Sequence, residues 1–270
     1  SVGSPEAAPV GVTTGNGARA LWTTAYVAVI TLGAVAMLLI LALTRDPWFA
    51  AIPFSLWGTI RGTLFFISAG AFADRFRVKV GDRVEVSASF LPDFLAAVIL
   101  GPLVGAVVSG AAVVSWWQRG QLLRNIAHFS VFVLAGGTCG LVYIAVGSAF
   151  VPEGAEIAGV GLAVGGMVAG VAYQIVDYAL FVPIAWLRRG LGPGAYFKEA
   201  IQPFLLFQIF FLILSLGLAY SFQHSGPFGF ALFFLPVFGL IYAFRVYARE
   251  MELAKRLERF SMQMAASMIT

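Results

Sequence analysis

The sequence predicts an all-α integral membrane protein. The predicted fold is a polytopic bundle of about seven transmembrane helices, with a small β-hairpin at about 75–90 and a cytoplasmic helix at the C-terminus. Of the 270 residues, 60% are hydrophobic and 11% are charged, whereas a soluble domain has about 45–50% apolar and about 25% charged residues. Apolar runs of about 20 residues recur along the chain, and this is the length that crosses a bilayer as a helix.

This composition excludes several other classes of protein. Thirty charged residues cannot cover a water-soluble globule of this size, so a soluble enzyme is ruled out. The single cysteine, Cys139, excludes a disulfide scaffold, and we expect it to be a small packing residue. The net charge of +4 is spread over short loops and forms no single basic face, so nucleic acid is not an expected partner.

The chain divides into three predicted parts: a disordered tail at 1–20, a transmembrane domain at 21–244, and a cytoplasmic linker or coiled-coil helix at 245–270. The seven predicted spans are Leu21–Leu43, Trp48–Ala73, Phe94–Trp117, Ile126–Val146, Ile157–Leu187, Ile201–Phe222 and Phe228–Phe244. The fifth span is longer than a bilayer requires, so it must tilt, break or extend out of the membrane.

Basic residues in the short loops set the expected orientation. Arginine and lysine residues follow the last span, which places the C-terminus in the cytoplasm. Seven simple crossings would then put the basic segment 74–90 outside, against the positive-inside rule. Either the rule fails at this segment, or a neighbouring span is re-entrant. Pro53 and Arg61 interrupt the second span, and Gly101-Pro102 interrupts the third.

The same segment carries the only strand pattern in the sequence. Apolar and polar residues alternate on both sides of Gly81-Asp82. A three-residue loop at 81–83 pairs Val80 with Val84 and Val78 with Val86, so that the apolar faces match. Such a hairpin is either a surface cap on the bundle or an element for sensing or dimerisation.

Glycines at four-residue spacing are typical of close helix packing in membranes. They occur at Gly101 and Gly105 followed by Ser109, at Gly161 and Gly165, and at Gly166 and Gly170, with a further cluster at Gly136, Gly137 and Gly140. These faces serve either the packing of the bundle or homodimerisation.

Polar groups inside the spans are the candidate ligand-binding residues, because ionisable groups at membrane depth are costly. The candidates are Arg61, Asp177, Gln174, Tyr173 and His128. Arg61 and Asp177 have opposite charge, and the group forms either a buried lock, a ligand cavity, or a path for protons or ions. No catalytic motif and no metal-binding spacing is present, so we predict neither catalytic residues nor a metal nor a cofactor in this chain.

The C-terminal segment has the spacing of a coiled-coil seam. Leu253, Leu257, Phe260 and Met264 are separated by four, three and four residues. This pattern favours a parallel dimer that passes a signal along the helix. The alternative is an amphipathic helix lying on the inner leaflet, which the basic residues would also suit.

Three stretches and the closing segment resemble the N-terminal membrane module of multi-pass bacterial signalling proteins. They are Val86-Ser-Ala-Ser-Phe-Leu-Pro into Ile99-Leu-Gly-Pro-Leu, Leu123-Arg-Asn-Ile to Gly140-Leu-Val-Tyr, Pro227-Phe-Gly-Phe-Ala-Leu-Phe-Phe-Leu-Pro into Tyr242-Ala-Phe-Arg-Val-Tyr, and Phe260-Ser-Met-Gln-Met-Ala-Ala-Ser-Met-Ile-Thr. In those proteins the module precedes an HD-GYP phosphohydrolase domain or a GGDEF cyclase domain. The metal-binding motifs of the HD-GYP domain do not occur here, so no catalytic residue carries over.

The resemblance and the C-terminal seam together predict a sensory or regulatory domain in a bacterial inner membrane. Its expected partners are the bilayer, a second copy of itself, an unidentified small-molecule or membrane stimulus, and its own output domain, which the chain lacks. That output domain is expected to be an HD-GYP cyclic-di-GMP phosphodiesterase. The alternative function is a small-molecule transporter or a substrate-binding membrane subunit, which Arg61, Asp177 and the broken spans would suit. An enzyme acting on lipid has no motif in its favour.

Overall fold

The structure is a computed structural model, and it describes residues 14–44, 56–75, 78–80, 84–86, 89–152, 157–202, 205, 208–225, 239, 242, 246, 250, 253, 257 and 258. The main helices are α1 (Thr14–Leu43), α2 (Leu56–Arg75), α3 (Phe90–Leu100), α4 (Pro102–Ala112), α5 (Leu122–Gly147), α6 (Val160–Arg189) and α7 (208–225). Short helical turns follow at Val113–Trp116, Ser148–Phe150, Pro193–Tyr196 and Phe197–Ile201. Helix α1 begins inside the predicted tail 1–20, and residues 1–13 lie outside the described part.

Three helices of the described part are long and apolar enough to cross a membrane. They are Gly17–Leu43, Leu122–Phe150 and Val160–Arg189. The all-α prediction and the membrane character therefore hold, but seven spans are not supported. Helix α2 carries Arg61 and ends on Asp74-Arg75, and α7 ends in a polar Gln223-His224-Ser225. The predicted seventh span, Phe228–Phe244, lies almost wholly outside the described residues.

The predicted third span, Phe94–Trp117, is a helical hairpin rather than a single crossing helix. Helices α3 and α4 have 11 residues each, or about 16 Å, which is about half the thickness of the hydrocarbon core. Gly101 joins them at φ 88° and ψ 175°, a conformation that only glycine adopts readily. A Cβ on Gly105 would lie 2.7 Å from the Cα of Ala97, so α4 runs back alongside α3.

This hairpin forms the centre of the molecule. Phe94, Leu95, Ala96 and Ala97 on α3 have no exposed surface, and Val108 on α4 has none either. Helices α2 and α5 both pack against the hairpin, and α5 also packs against α6 and α1. The two short helices are therefore enclosed by longer ones, as expected for segments that do not reach both membrane surfaces.

The spaced glycines predicted to be packing residues are in the interfaces of the bundle. Gly136 of α5 faces Gly105 and Ser109 of α4, and Gly140 faces Pro102. On the next interface, Gly165 of α6 meets the backbone of α5 at Gly147. The packing role within one chain is thus established for these glycines. Cys139 is fully buried among the same helices, in agreement with a packing role.

The hairpin predicted over about 75–90 is not supported at that size. Two strands of three residues, β1 (Val78–Val80) and β2 (Val84–Val86), pair antiparallel, with Val80 opposite Val84 and Val78 opposite Val86. These described strands lie between α2, which extends to Arg75, and α3, which begins at Phe90.

The helical hairpin determines which segments share a side of the bundle. Because α3 and α4 return to the side from which they start, the segment before Phe90 and the turn after Trp116 lie on the same side. That turn holds Arg119 and leads into Arg124 at the start of α5. A topology with this hairpin would place the segment before α3 on the same side as other basic residues, as the positive-inside rule expects.

Gly136→Ala should destabilise the bundle, because the new methyl group would meet the Gly105 carbonyl at 2.6 Å. We expect a loss of about 1–3 kcal/mol in stability, as for other overpacked cores. Gly33→Ala is the matched control, since its Cβ would meet only a Leu134 methyl group at 3.9 Å, and alanine favours helix. Thermal unfolding of both variants in one detergent measures the difference, and equal midpoints would contradict the close α4–α5 contact.

The side shared by the two basic segments can be tested with single cysteines in a Cys139→Ala background. A membrane-impermeant thiol reagent added to one side should label Ser87→Cys and Arg119→Cys together, or neither of them. Ser148→Cys follows the end of α5 and should react from the opposite side. Labelling of Ser87→Cys together with Ser148→Cys would mean that the third apolar run crosses the membrane after all.

Candidate functional site

Three of the five predicted ligand-binding residues lie together on α6. Tyr173 is buried, and its ring meets Phe90 of the hairpin edge-to-face at 5.2 Å. Gln174 follows it and lines a cavity that Phe90 also lines. Asp177 lies one turn further along, and its Oδ1 is enclosed without a hydrogen-bond partner in the part of the chain that is described.

Arg61 is not part of this group. It lies on α2 with an exposed side chain, next to Gly62, which contacts Leu100 at the end of α3. Asp177 lies on α6 close to Tyr196, whose ionisation it influences. Both residues are described, and no ion pair joins them. The opposite-charge lock considered for these two residues is therefore absent from the structure.

His128 forms a separate aromatic contact between α5 and α6. Its ring lies 4.9 Å from that of Phe181 and 6.3 Å from that of Phe132. Its Nδ1 is 2.7 Å from the carbonyl oxygen of Arg124, which requires the proton to be on Nδ1 because a carbonyl oxygen only accepts. His128 is therefore a packing residue at the contact between α5 and α6.

Beyond α6 the chain folds back and is held by an aromatic cluster. The Tyr178 hydroxyl donates to the Pro193 carbonyl at 2.9 Å, and its ring lies 5.9 Å from Tyr196 and 6.1 Å from Phe197. Burial and the nearby Asp177 carboxylate raise the pKa of Tyr196 to about 12, so its phenol is neutral at physiological pH. The cluster fixes residues 193–201 beside α6.

This return of the chain creates an open cavity of about 270 Å³, which we call the α6–α7 groove. At one end α6 and α7 touch, because Gly166 meets Leu216 and Gly170 meets Leu212. From Gly170 onward the groove opens between the two helices, with the 197–201 turn as its third wall. Its lining residues are Phe90, Gly170, Val171, Gln174, Ile175, Tyr178, Phe197, Ile201, Leu205, Gln208, Ile209 and Leu212.

The chemistry of the groove is apolar with two amides. No charged side chain lines it, and the Tyr178 hydroxyl already donates to Pro193. Gln174 on α6 and Gln208 on α7 are the remaining polar groups, and the described residues offer neither of them a hydrogen bond. Such a lining suits an apolar ligand that carries an uncharged hydrogen-bonding group.

Sequence reasoning missed two polar residues that organise the helix ends. Asn125 is fully buried, and its Nδ2 donates to the Gln118 carbonyl at 2.9 Å, which closes the turn before α5. Gln223 Nε2 donates to the Ile157 carbonyl at 2.8 Å and ties the end of α7 to the start of the α6 region. The sequence signal for both residues was an amide side chain next to a helix end. Such an amide indicates helix capping as readily as it indicates a ligand-binding site.

The structure describes seven residues of the C-terminal segment, 239, 242, 246, 250, 253, 257 and 258, and we call four of them, Val246, Glu250, Leu253 and Leu257, the C-terminal stripe. All are helical and exposed. Leu253 is 59% exposed and Leu257 is 68% exposed, so neither is covered by the rest of the described chain. Phe260 and Met264, the other two predicted seam residues, lie outside the described residues.

Comparison with protein-family models, with curated proteins and with solved structures found no match to this chain. Within the described ranges, no three His, Cys, Asp or Glu side chains gather in a way that could hold a metal ion. The α6–α7 groove and the C-terminal stripe are the features of the described residues that bear most directly on function.

Proposed function

We propose that this chain is the membrane-embedded regulatory domain of a bacterial signal-transduction protein, and that it acts as a parallel dimer through its C-terminal helix. The observation that carries the proposal is the C-terminal stripe. Apolar side chains as large as Leu253 and Leu257 are exposed in the single chain, and exposed apolar stripes on helices favour association.

The spacing of the stripe supports a two-stranded coiled coil. Val246, Glu250, Leu253 and Leu257 follow one another at four, three and four residues, which is the alternation of the two core positions of a heptad. Glu250 occupies one of these core positions. A single polar residue in such a seam costs stability, here through repulsion between the two Glu250 carboxylates, but it restricts the register of the two chains, which suits a helix that has to pass a defined movement onward.

The proposed orientation follows from charge. The basic segment before α3, the turn with Arg119 and the end of α6 at Arg188 and Arg189 share one side of the bundle, and the positive-inside rule makes that side cytoplasmic. The proposal takes α7 and the apolar run Phe228–Phe244 as two further crossings of a bacterial inner membrane, which places Leu253 and Leu257 in the cytoplasm as well. The resemblance to modules of HD-GYP proteins supports a cyclic-di-GMP phosphodiesterase domain as the regulated output.

Transport is the second candidate, because of the α3–α4 hairpin. Two half-length helices that meet at a glycine are typical of transporter binding sites, and Asp93 on α3 is only 3% exposed. In this alternative the C-terminal stripe has no role in uptake.

Disulfide crosslinking separates these two functions. With Cys139→Ala as background, Leu253→Cys should form a crosslinked dimer in membranes, because this core position faces its counterpart in a parallel coiled coil. Glu258→Cys is the matched control, since it is helical and exposed but five residues away, on another face. Equal crosslinking of both variants, or none at Leu253→Cys, would contradict the parallel dimer. Substrate uptake by vesicles containing a chain that ends before residue 245 would then favour transport.

The identity of the output has its own test. The coding sequence that follows Thr270 should continue into an HD-GYP or GGDEF domain with its metal-binding motifs intact. A stop codon within a few residues would overturn the proposed output while leaving the crosslinking result to decide between dimer and monomer.

A further inference from the structure

The α6–α7 groove is open on the lipid-facing side of a helix that is long enough to cross the membrane. Val171 and Ile175 of α6 are 52% and 60% exposed, and Ile209 of α7 is 46% exposed. Side chains of this kind on a membrane-spanning helix face acyl chains. An occupant of the groove would therefore enter from the bilayer rather than from water.

Two amides inside this apolar groove need a partner. Gln174 and Gln208 line opposite walls, and the described chain gives neither amide a hydrogen bond. A polar group without a hydrogen-bond partner in an apolar environment is unfavourable. An amide can donate to a carbonyl oxygen, so an occupant with carbonyl groups at this depth would satisfy both residues.

The rim of the groove adds a positive charge. Lys198 directly follows Phe197 of the lining and is exposed, and Arg189 ends α6 on the same side. Gln174 lies one helical turn below Tyr178, which contacts Phe197. A phosphate at the level of Lys198 would thus be about one turn, or roughly 6 Å, above the amides.

We propose that the α6–α7 groove is a binding site for one glycerophospholipid. An acyl chain lies along Ile175, Ile209 and Leu212, the ester carbonyls accept hydrogen bonds from Gln174 and Gln208, and the phosphate lies at the rim beside Lys198. This inference goes beyond the regulatory function and rests on the groove alone, so it holds whether or not the C-terminal stripe dimerises.

Photolabelling of the full chain in phosphatidylcholine vesicles tests the site. The probe is ester-linked phosphatidylglycerol with a diazirine on one acyl chain, and crosslinked peptides are located by mass spectrometry. Bulk lipid labels every exposed face, so peptides of α1 around Leu32 and Leu39 serve as the internal reference. We expect groove peptides to be labelled several-fold more than this reference; equal labelling would overturn the proposal.

A matched pair of variants shows whether the groove itself is responsible. Ile175→Trp fills the groove from a 60% exposed position and should reduce labelling to the level of α1. Ile213→Trp changes the same residue type at a similar exposure, 57%, on α7 outside the lining, and should leave labelling unchanged. Thermal unfolding of both variants checks that they fold, and labelling that persists in a folded Ile175→Trp would contradict the site.

The role of the two amides is tested by removing either the amide donors of the chain or the ester carbonyl acceptors of the lipid. Gln174→Leu and Gln208→Leu should each weaken labelling by the ester probe about fivefold, the usual effect of one hydrogen bond. An ether-linked probe lacks the carbonyl groups, so it should label the unmodified chain more weakly and be insensitive to both variants. Equal sensitivity of the two probes would show that the amides do not recognise the esters.

Discussion

The contact between the α3–α4 hairpin and α5 is the constraint on which the rest of the bundle depends. It requires glycine at Gly136 and Gly140, because a Cβ at either position would overlap α4 or Pro102. It also requires Gly101 in a left-handed conformation at the tip. Without a hydrophobic driving force between helices in lipid, close van der Waals packing of this kind supplies the association.

The arrangement of the other elements follows from this contact. A hairpin that returns to its own side places the start of α3 on the same side as the turn before α5, so the assumption that each apolar run crosses once fails for Phe94–Trp117. The buried hairpin also provides Phe90, which packs on Tyr173 and closes one end of the α6–α7 groove. The central packing and the candidate site are therefore connected by direct contact.

The sequence allowed the helical character and the packing glycines to be predicted, because both depend on local spacing. It did not allow the number of crossings to be predicted. Hydropathy treats Phe94–Trp117 as one run, and only the Gly101-Pro102 break and the misplaced charges of 74–90 indicated otherwise.

The sequence left the pairing of distant residues open. Arg61 and Asp177 have complementary charge, but charge alone does not specify which helix faces are adjacent, and the structure places the two residues apart. Gln174 was identified as a candidate from its depth in a span, whereas its relation to Gln208 depends on the return of the chain at 193–201. No pattern within a single helix contains that information.

A link between the groove and the C-terminal stripe would need a two-state element that both of them influence. Helix α7 is the element placed to do so, because it forms one wall of the groove and precedes the stripe in the chain. Its contacts with Gly166 and Gly170 hold it against α6 at the closed end of the groove, so a change in groove width would turn α7 about these contacts. A lipid shifts this equilibrium only by its difference in affinity for the two arrangements. The two amides make that difference depend on distance, since both reach one ligand only at one separation of the helices. A hydrocarbon chain without carbonyl groups would fill the groove at several widths and would favour no single position of α7.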